Sequence, residues 1–123
     1  MQNLNSKFKT DLLGRSYKFG LEVIKLTDKL PQKRSSWVIA DQLIRSSTSV
    51  GANLVEAKAS SSRLEFKKFY EISLKSANET QYWLNMLVDA GLAPRMEVAK
   101  LLNELEELSR MIGKSVISLK SKL

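Results

Sequence analysis

Four polar residues in one stretch, Arg45, Ser49, Asn53 and Glu56, are spaced by four, four and three positions, so on a helix they share one stripe. A guanidinium beside an amide and a hydroxyl could hold a phosphate or another anionic ligand. The same residues could instead lock two helices in register, provided a facing carboxylate neutralises the arginine. Ser73, Ser76 and Glu79 follow at three-residue intervals. With a turn centred near residue 60, antiparallel pairing sets Arg45 opposite Ser76 and within reach of Glu79. The preferred reading is therefore an interhelical polar network of Arg45, Ser49, Asn53, Glu56 and Glu79, with a ligand site as the alternative. Gly51, in the same stretch, costs about 1 kcal/mol relative to alanine inside a helix and points to the close approach of another backbone.

Other chemistry finds little to work with. Histidine and cysteine are both absent, which removes imidazole and thiol metal ligands and any disulfide framework. Metal-binding bundles that need Glu-x-x-His pairs are excluded for the same reason. A carboxylate-only site is conceivable at Glu104, Glu106 and Glu107, but these residues are expected beside the apolar seam, facing water. A serine nucleophile would have only Lys, Asp or Glu as its base. Ser46, Ser47 and Ser49 are better explained as small residues that let helices approach. The five glycines stand singly, so no phosphate-cradling loop is present. No enzyme, cofactor or metal is expected.

The elements that carry these residues are helices. Leu12, Ser16, Phe19, Val23, Leu26 and Leu30 alternate steps of four and three, the seam of a bundle helix over about residues 6–30. Pro31 ends it. The second helix is expected over about 36–59, with Ser35 or Ser36 as N-cap. The third is expected over 63–90, opened by a capping box of Ser62 and Glu65 and closed by Gly91 in the left-handed region. The fourth is expected over 94–121, with Pro94 in its first turn and a seam of Val98, Leu102, Leu105, Ser109, Ile112, Val116, Leu119 and Leu123. Connections this short force antiparallel neighbours. The fold class is all-α, a single up-and-down four-helix bundle over residues 1–123. Leu12, Phe19, Val23, Leu43, Val50, Leu54 and Phe69 should lie mostly in the core. So should Ala77, Leu84, Leu102, Leu105, Ile112 and Val116.

Some apolar surface exceeds what one core needs. Leu13, Tyr17, Leu21 and Ile24 form a second apolar face on the first helix, and Ile72, Trp83, Met86 and Ala90 a second on the third. Such faces predict self-association. The apolar runs are far too short to span a membrane, and no export signal is expected at the N-terminus, so the setting is expected to be cytoplasmic. Peripheral membrane binding through the first helix is disfavoured because the core needs its apolar face.

Net charge is +7, which favours acidic partners such as RNA or DNA. In an up-and-down bundle the start of the first helix, the second turn and the end of the fourth helix share one end. Residues 1–14 carry net +1, 52–70 net +2 and 110–123 net +4, so the whole surplus gathers there. The candidate nucleic-acid contacts are Lys58, Arg63, Lys67, Lys68, Arg110, Lys114, Lys120 and Lys122. No RNA-binding motif or base-stacking platform is recognisable, so sequence-specific readout is not expected.

The run from Asp41 to Ala57, DQLIRSSTSVGANLVEA, resembles the signature of the bacterial four helix bundle protein family, also called the 23S rRNA intervening-sequence protein or S23 family. Phe66 to Leu74 and Ala77 to Leu84 are similar to its third helix, and Gly91-Leu92 to that helix's end. The resemblance implies a four-helix bundle, a homopentameric ring and no established enzymatic activity. It also implies kinship with the accessory variability proteins of diversity-generating retroelements, basic pentamers that bind nucleic acid and a reverse transcriptase. The expected function is thus a non-enzymatic, oligomeric bundle associated with RNA or DNA through a basic surface. The alternative is a structural or protein-interaction scaffold without nucleic-acid affinity.

Overall fold

The computed structural model describes residues 11–121. It contains four helices, α1 (Leu12–Thr27), α2 (Arg34–Lys58), α3 (Arg63–Asp89) and α4 (Arg95–Ser121), and no strand among the described residues. Each helix packs on its neighbours in sequence, and α1 closes the square by packing on α4. Cross-helix contacts run in opposite senses along each pair: Arg45 meets Glu79 while Val50 meets Ser73, and Arg15 meets Glu104 while Lys29 meets Glu97. All neighbours are antiparallel, as short connections require.

The interior is aliphatic. Val23, Leu43, Val50, Leu84 and Ile112 are fully enclosed, with Phe19, Leu54 and Leu105 nearly so. Leu12, Phe69 and Leu102, expected in the core, are only half-buried. On α4 the enclosed set is Val98, Leu105, Leu108, Ile112 and Val116. Leu108 thus takes the interior place that spacing assigned to Ser109, which is half-buried.

Helix ends depart from expectation where tertiary packing intervenes. Asp11 caps α1 by accepting from the Gly14 amide at 2.8 Å, while the expected start near Ser6 lies outside the described residues. The helix stops at Thr27, three residues before Leu30, and the chain turns through tight bonds such as Lys29 N–H to Leu26 O at 3.0 Å. Leu30 is buried all the same; Pro31 disfavours a helical backbone at residue 30 without displacing its side chain. The second helix begins at Arg34 behind Lys33, whose backbone is extended and whose side chain makes no cap bond. Neither Ser35 nor Ser36 is the cap, and the Ser36 hydroxyl is buried without a hydrogen-bond partner among the described residues.

At the α2–α3 turn, Ser62 Oγ accepts from the Glu65 amide at 3.1 Å. Glu65 accepts in return from Ser61 N–H at 3.3 Å rather than from Ser62, a capping box displaced by one residue. Local rules hold at the α3–α4 turn. Gly91 adopts φ +72°. Leu92 N–H reaches Leu87 O at 2.9 Å and Gly91 N–H reaches Val88 O at 3.0 Å, the paired bonds of a Schellman ending. Pro94 stands just before Arg95, its carbonyl accepting from Val98 N–H at 3.2 Å.

Candidate functional site

The α2–α3 seam is built from small hydroxyl residues with a three-then-four rhythm on both helices. Ser76 Oγ donates to Ser49 Oγ at 2.9 Å, and Asn53 Nδ2 donates to Ser49 O and Oγ at 2.8 and 2.9 Å. Deeper in, Thr80 Oγ1 lies 2.9 Å from Ser46 Oγ and donates to Ser76 O at 2.7 Å, and Ser73 Oγ donates to Val50 O at 2.7 Å. Ser46 and Thr80 thus extend the network beyond the residues read from sequence, and Ser73 joins it as its spacing suggested. The matching spacings 46–49–53 and 73–76–80 are the signal that could have found them.

Arg45 crosses the rim of this seam to pair with Glu79 and also donates to Gln42 Oε1 at 2.9 Å. Trp83 Nε1–H donates to the same Glu79 carboxylate at 2.9 Å. That bond first, and the bond and charge of Arg45 after it, hold the Glu79 carboxyl below its ordinary range. The Arg45 and Glu79 side chains remain 57% and 36% exposed, so the pair is a surface latch. With Arg45 neutralised in this way, the stripe offers no spare cation to an anionic ligand. Glu56 does not join the network. It is exposed and makes no hydrogen bond or ion pair with α3 among the described residues.

Glu56 instead borders an apolar groove of about 540 Å³ between α1 and α2. Leu13, Tyr17, Leu21 and Ile24 form one wall, and Thr48, Ala52 and Val55 the other. Gly51 lies at the crossing of these two helices, so the backbone it approaches is that of α1, at Ser16 and Tyr17, rather than that of α3. Tyr17 is 40% exposed and Val55 53%. This is the surplus apolar face expected on the first helix.

Across α1 and α4, Arg15 grips Glu104 with two bonds, Nε to Oε2 at 3.1 Å and a terminal nitrogen to Oε1 at 2.7 Å, and lies 3.2 Å from Glu107. The Glu104 bonds above all raise the Arg15 pKa. Two of the three carboxylates expected to face water therefore clamp α1 to α4, and Glu106 pairs with Arg110 at 3.1 Å. Among the described residues no three acidic groups are arranged to hold a metal ion. No described helix is long and apolar enough to cross a membrane.

Lys58, Arg63 and Lys114, three of the cationic candidates, lie at adjoining clefts at one end. Arg63, Phe66 and Leu119 line one cleft with Lys58, and Phe66, Tyr70 and Lys114 line the next, which sets the start of α3 beside the end of α4. Lys67 is partly buried and 3.4 Å from Glu71, and Arg110 is bound to Glu106. Arg63, Lys68, Lys114 and Lys120 are exposed and have no ion pair among the described residues. Lys122 lies outside the described residues. Phe66 and Tyr70, one turn apart on α3, stack here with ring centres 4.7 Å apart. Burial raises the Tyr70 hydroxyl pKa.

Four antiparallel helices, latched by polar seams and with unpaired cations at one end, define a four-helix-bundle protein. The chain belongs to the family of 23S rRNA-intervening sequence proteins, whose model matches residues 9–114. Among solved structures it is similar to a protein of unknown function from the S23 ribosomal protein family of Bacteroides thetaiotaomicron. The two share 30% identity and superpose with a TM-score of 0.80, over 85% of this chain and 97% of that one. A comparison with curated proteins returns no match.

Proposed function

We propose that this bundle is a non-enzymatic, self-associating protein that engages RNA or DNA through its basic end. The observation that carries the reading is that Arg63, Lys68, Lys114 and Lys120 are each exposed and have no ion pair among the described residues, with Arg63 and Lys114 at adjoining clefts. Phosphate backbones bind through such cations by releasing condensed counterions, and this term needs no base recognition. The name of the matched family, which refers to an intervening sequence of 23S rRNA, agrees with an RNA setting. Self-association is supported by the α1–α2 groove, whose apolar walls one core leaves uncovered. Assembly would multiply the basic ends and so their pull on a polyanion.

The two ends of the bundle provide the test. Binding of labelled RNA and duplex DNA is measured by fluorescence anisotropy. Lys114→Ala combined with Lys120→Ala should weaken both complexes several-fold, whereas Lys33→Ala with Arg34→Ala, at the other end, should leave them unchanged. Equal losses from both ends would refute a localised interface. Absence of binding at low salt would leave a scaffold as the reading. Sedimentation showing a monodisperse 13.9 kDa monomer at micromolar concentration would end the self-association claim.

A further inference from the structure

We infer that the basic end holds a single-stranded segment of nucleic acid, with a base stacked against the Phe66–Tyr70 ring pair. The inference rests on the nucleic-acid reading and adds to it the strandedness of the ligand and its contact with a base. Two clefts of about 400 and 350 Å³ adjoin there, sharing Phe66 and Leu119 between them. The first lies along the α2–α3 turn and is flanked by Lys58 and Arg63. The second lies along the α3–α4 seam and is flanked by Lys114, with Tyr70 on its wall. Together they make a trough across the end of the bundle, cationic on both flanks and aromatic in the middle.

This arrangement suits a single strand. The two rings lie at 22° to each other with centres 4.7 Å apart, so each turns one face away from its neighbour. Both rings are only half-buried, at a place where the seam opens instead of closing over them. A base has a π-face whatever its identity, and stacking on an aromatic side chain is tolerant of sequence, while flanking cations track the phosphates on either side. A duplex keeps its bases stacked on one another and could use only the cations. The aromatic pair is invisible as a platform in the sequence, because nothing in the spacing of Phe66 and Tyr70 on α3 shows that α4 leaves both rings only half-buried.

The test uses the parent chain with fluorescein-labelled oligo(U), oligo(dT) and a duplex of equal length. Both single strands should bind more tightly than the duplex at equal salt. Phe66→Leu and Tyr70→Leu should each weaken single-strand binding about tenfold, leaving duplex affinity and the salt slope unchanged. A second readout is independent of how the variants fold: an oligo(U) carrying 5-iodouridine is cross-linked to the unmodified chain, and the adduct is located by mass spectrometry. Adducts at Phe66 or Tyr70 support the inference; adducts confined to Trp37, Tyr82 or Tyr17 overturn it. Equal binding of single strands and duplex, insensitive to the two rings, would overturn the inference while leaving phosphate contact standing. Absence of binding by all three probes would overturn both.

Discussion

At the scale of the residue, the Arg45–Glu79 latch separates what spacing tells from what it does not. Register alone located the partners, because a tight turn near residue 60 fixes which residues of α2 and α3 lie level. Exposure was not legible, since it depends on how far the helices close over their rim. The pair sits at the surface, so Arg45→Ala and Glu79→Ala should each cost about 1 kcal/mol or less, with a coupling of roughly 0.2–1 kcal/mol in a double-mutant cycle read by urea denaturation. Strict additivity would mean that the contact is not made in solution. The pH dependence has a definite sign. The Glu79 carboxyl is lowered in the folded protein, so its stabilisation is full above the unfolded value of about 4.3 and is lost as pH falls through the lowered folded value. The stability gap between the parent and Glu79→Gln should therefore be present at neutral pH and close under acid.

The helices and their order followed from apolar periodicity, and the α3–α4 turn followed from Gly91 and Pro94, whose backbone demands are local. The end of α1 and the start of α2 were misplaced because Leu30 and Ser36 are held by burial, which no neighbouring residue announces. On α4 a narrow seam was drawn through Leu102 and Ser109. A helix packed against both α3 and α1 needs a wider apolar stripe, and Leu108 belongs to it. Leu105→Ala and Leu108→Ala should each cost about 2–5 kcal/mol, measured by chemical denaturation, since both side chains are enclosed. Gly51 tests the α1–α2 crossing. A Cβ at this position would meet Ser16 Cβ at 3.5 Å and Tyr17 N at 3.7 Å, ordinary contacts, so Gly51→Ala should stabilise the isolated bundle by up to about 1 kcal/mol. A loss of more than 1 kcal/mol in thermal unfolding would mean that the two helices approach more closely than these distances allow.

For the whole molecule, the bundle topology brings excess Lys and Arg together, because the α2–α3 turn and the start of α3 lie beside the end of α4. This much was legible in the sequence once the up-and-down order was accepted. The individual ion pairs were not: Lys67 and Arg110 count as charges in sequence but are taken up by Glu71 and Glu106 in the fold. The contact set should therefore be led by Arg63, Lys68, Lys114 and Lys120. The central claim is that these cations meet phosphates, and a salt titration of RNA binding addresses it most directly. The slope of log affinity against log salt is measured for the parent and for Lys68→Ala, Lys114→Ala and Lys120→Ala. Affinity should fall steeply with salt, and each substitution should flatten the slope by about 0.7–0.9. A slope near zero for the parent, or one that none of the three lysines changes, would contradict the account.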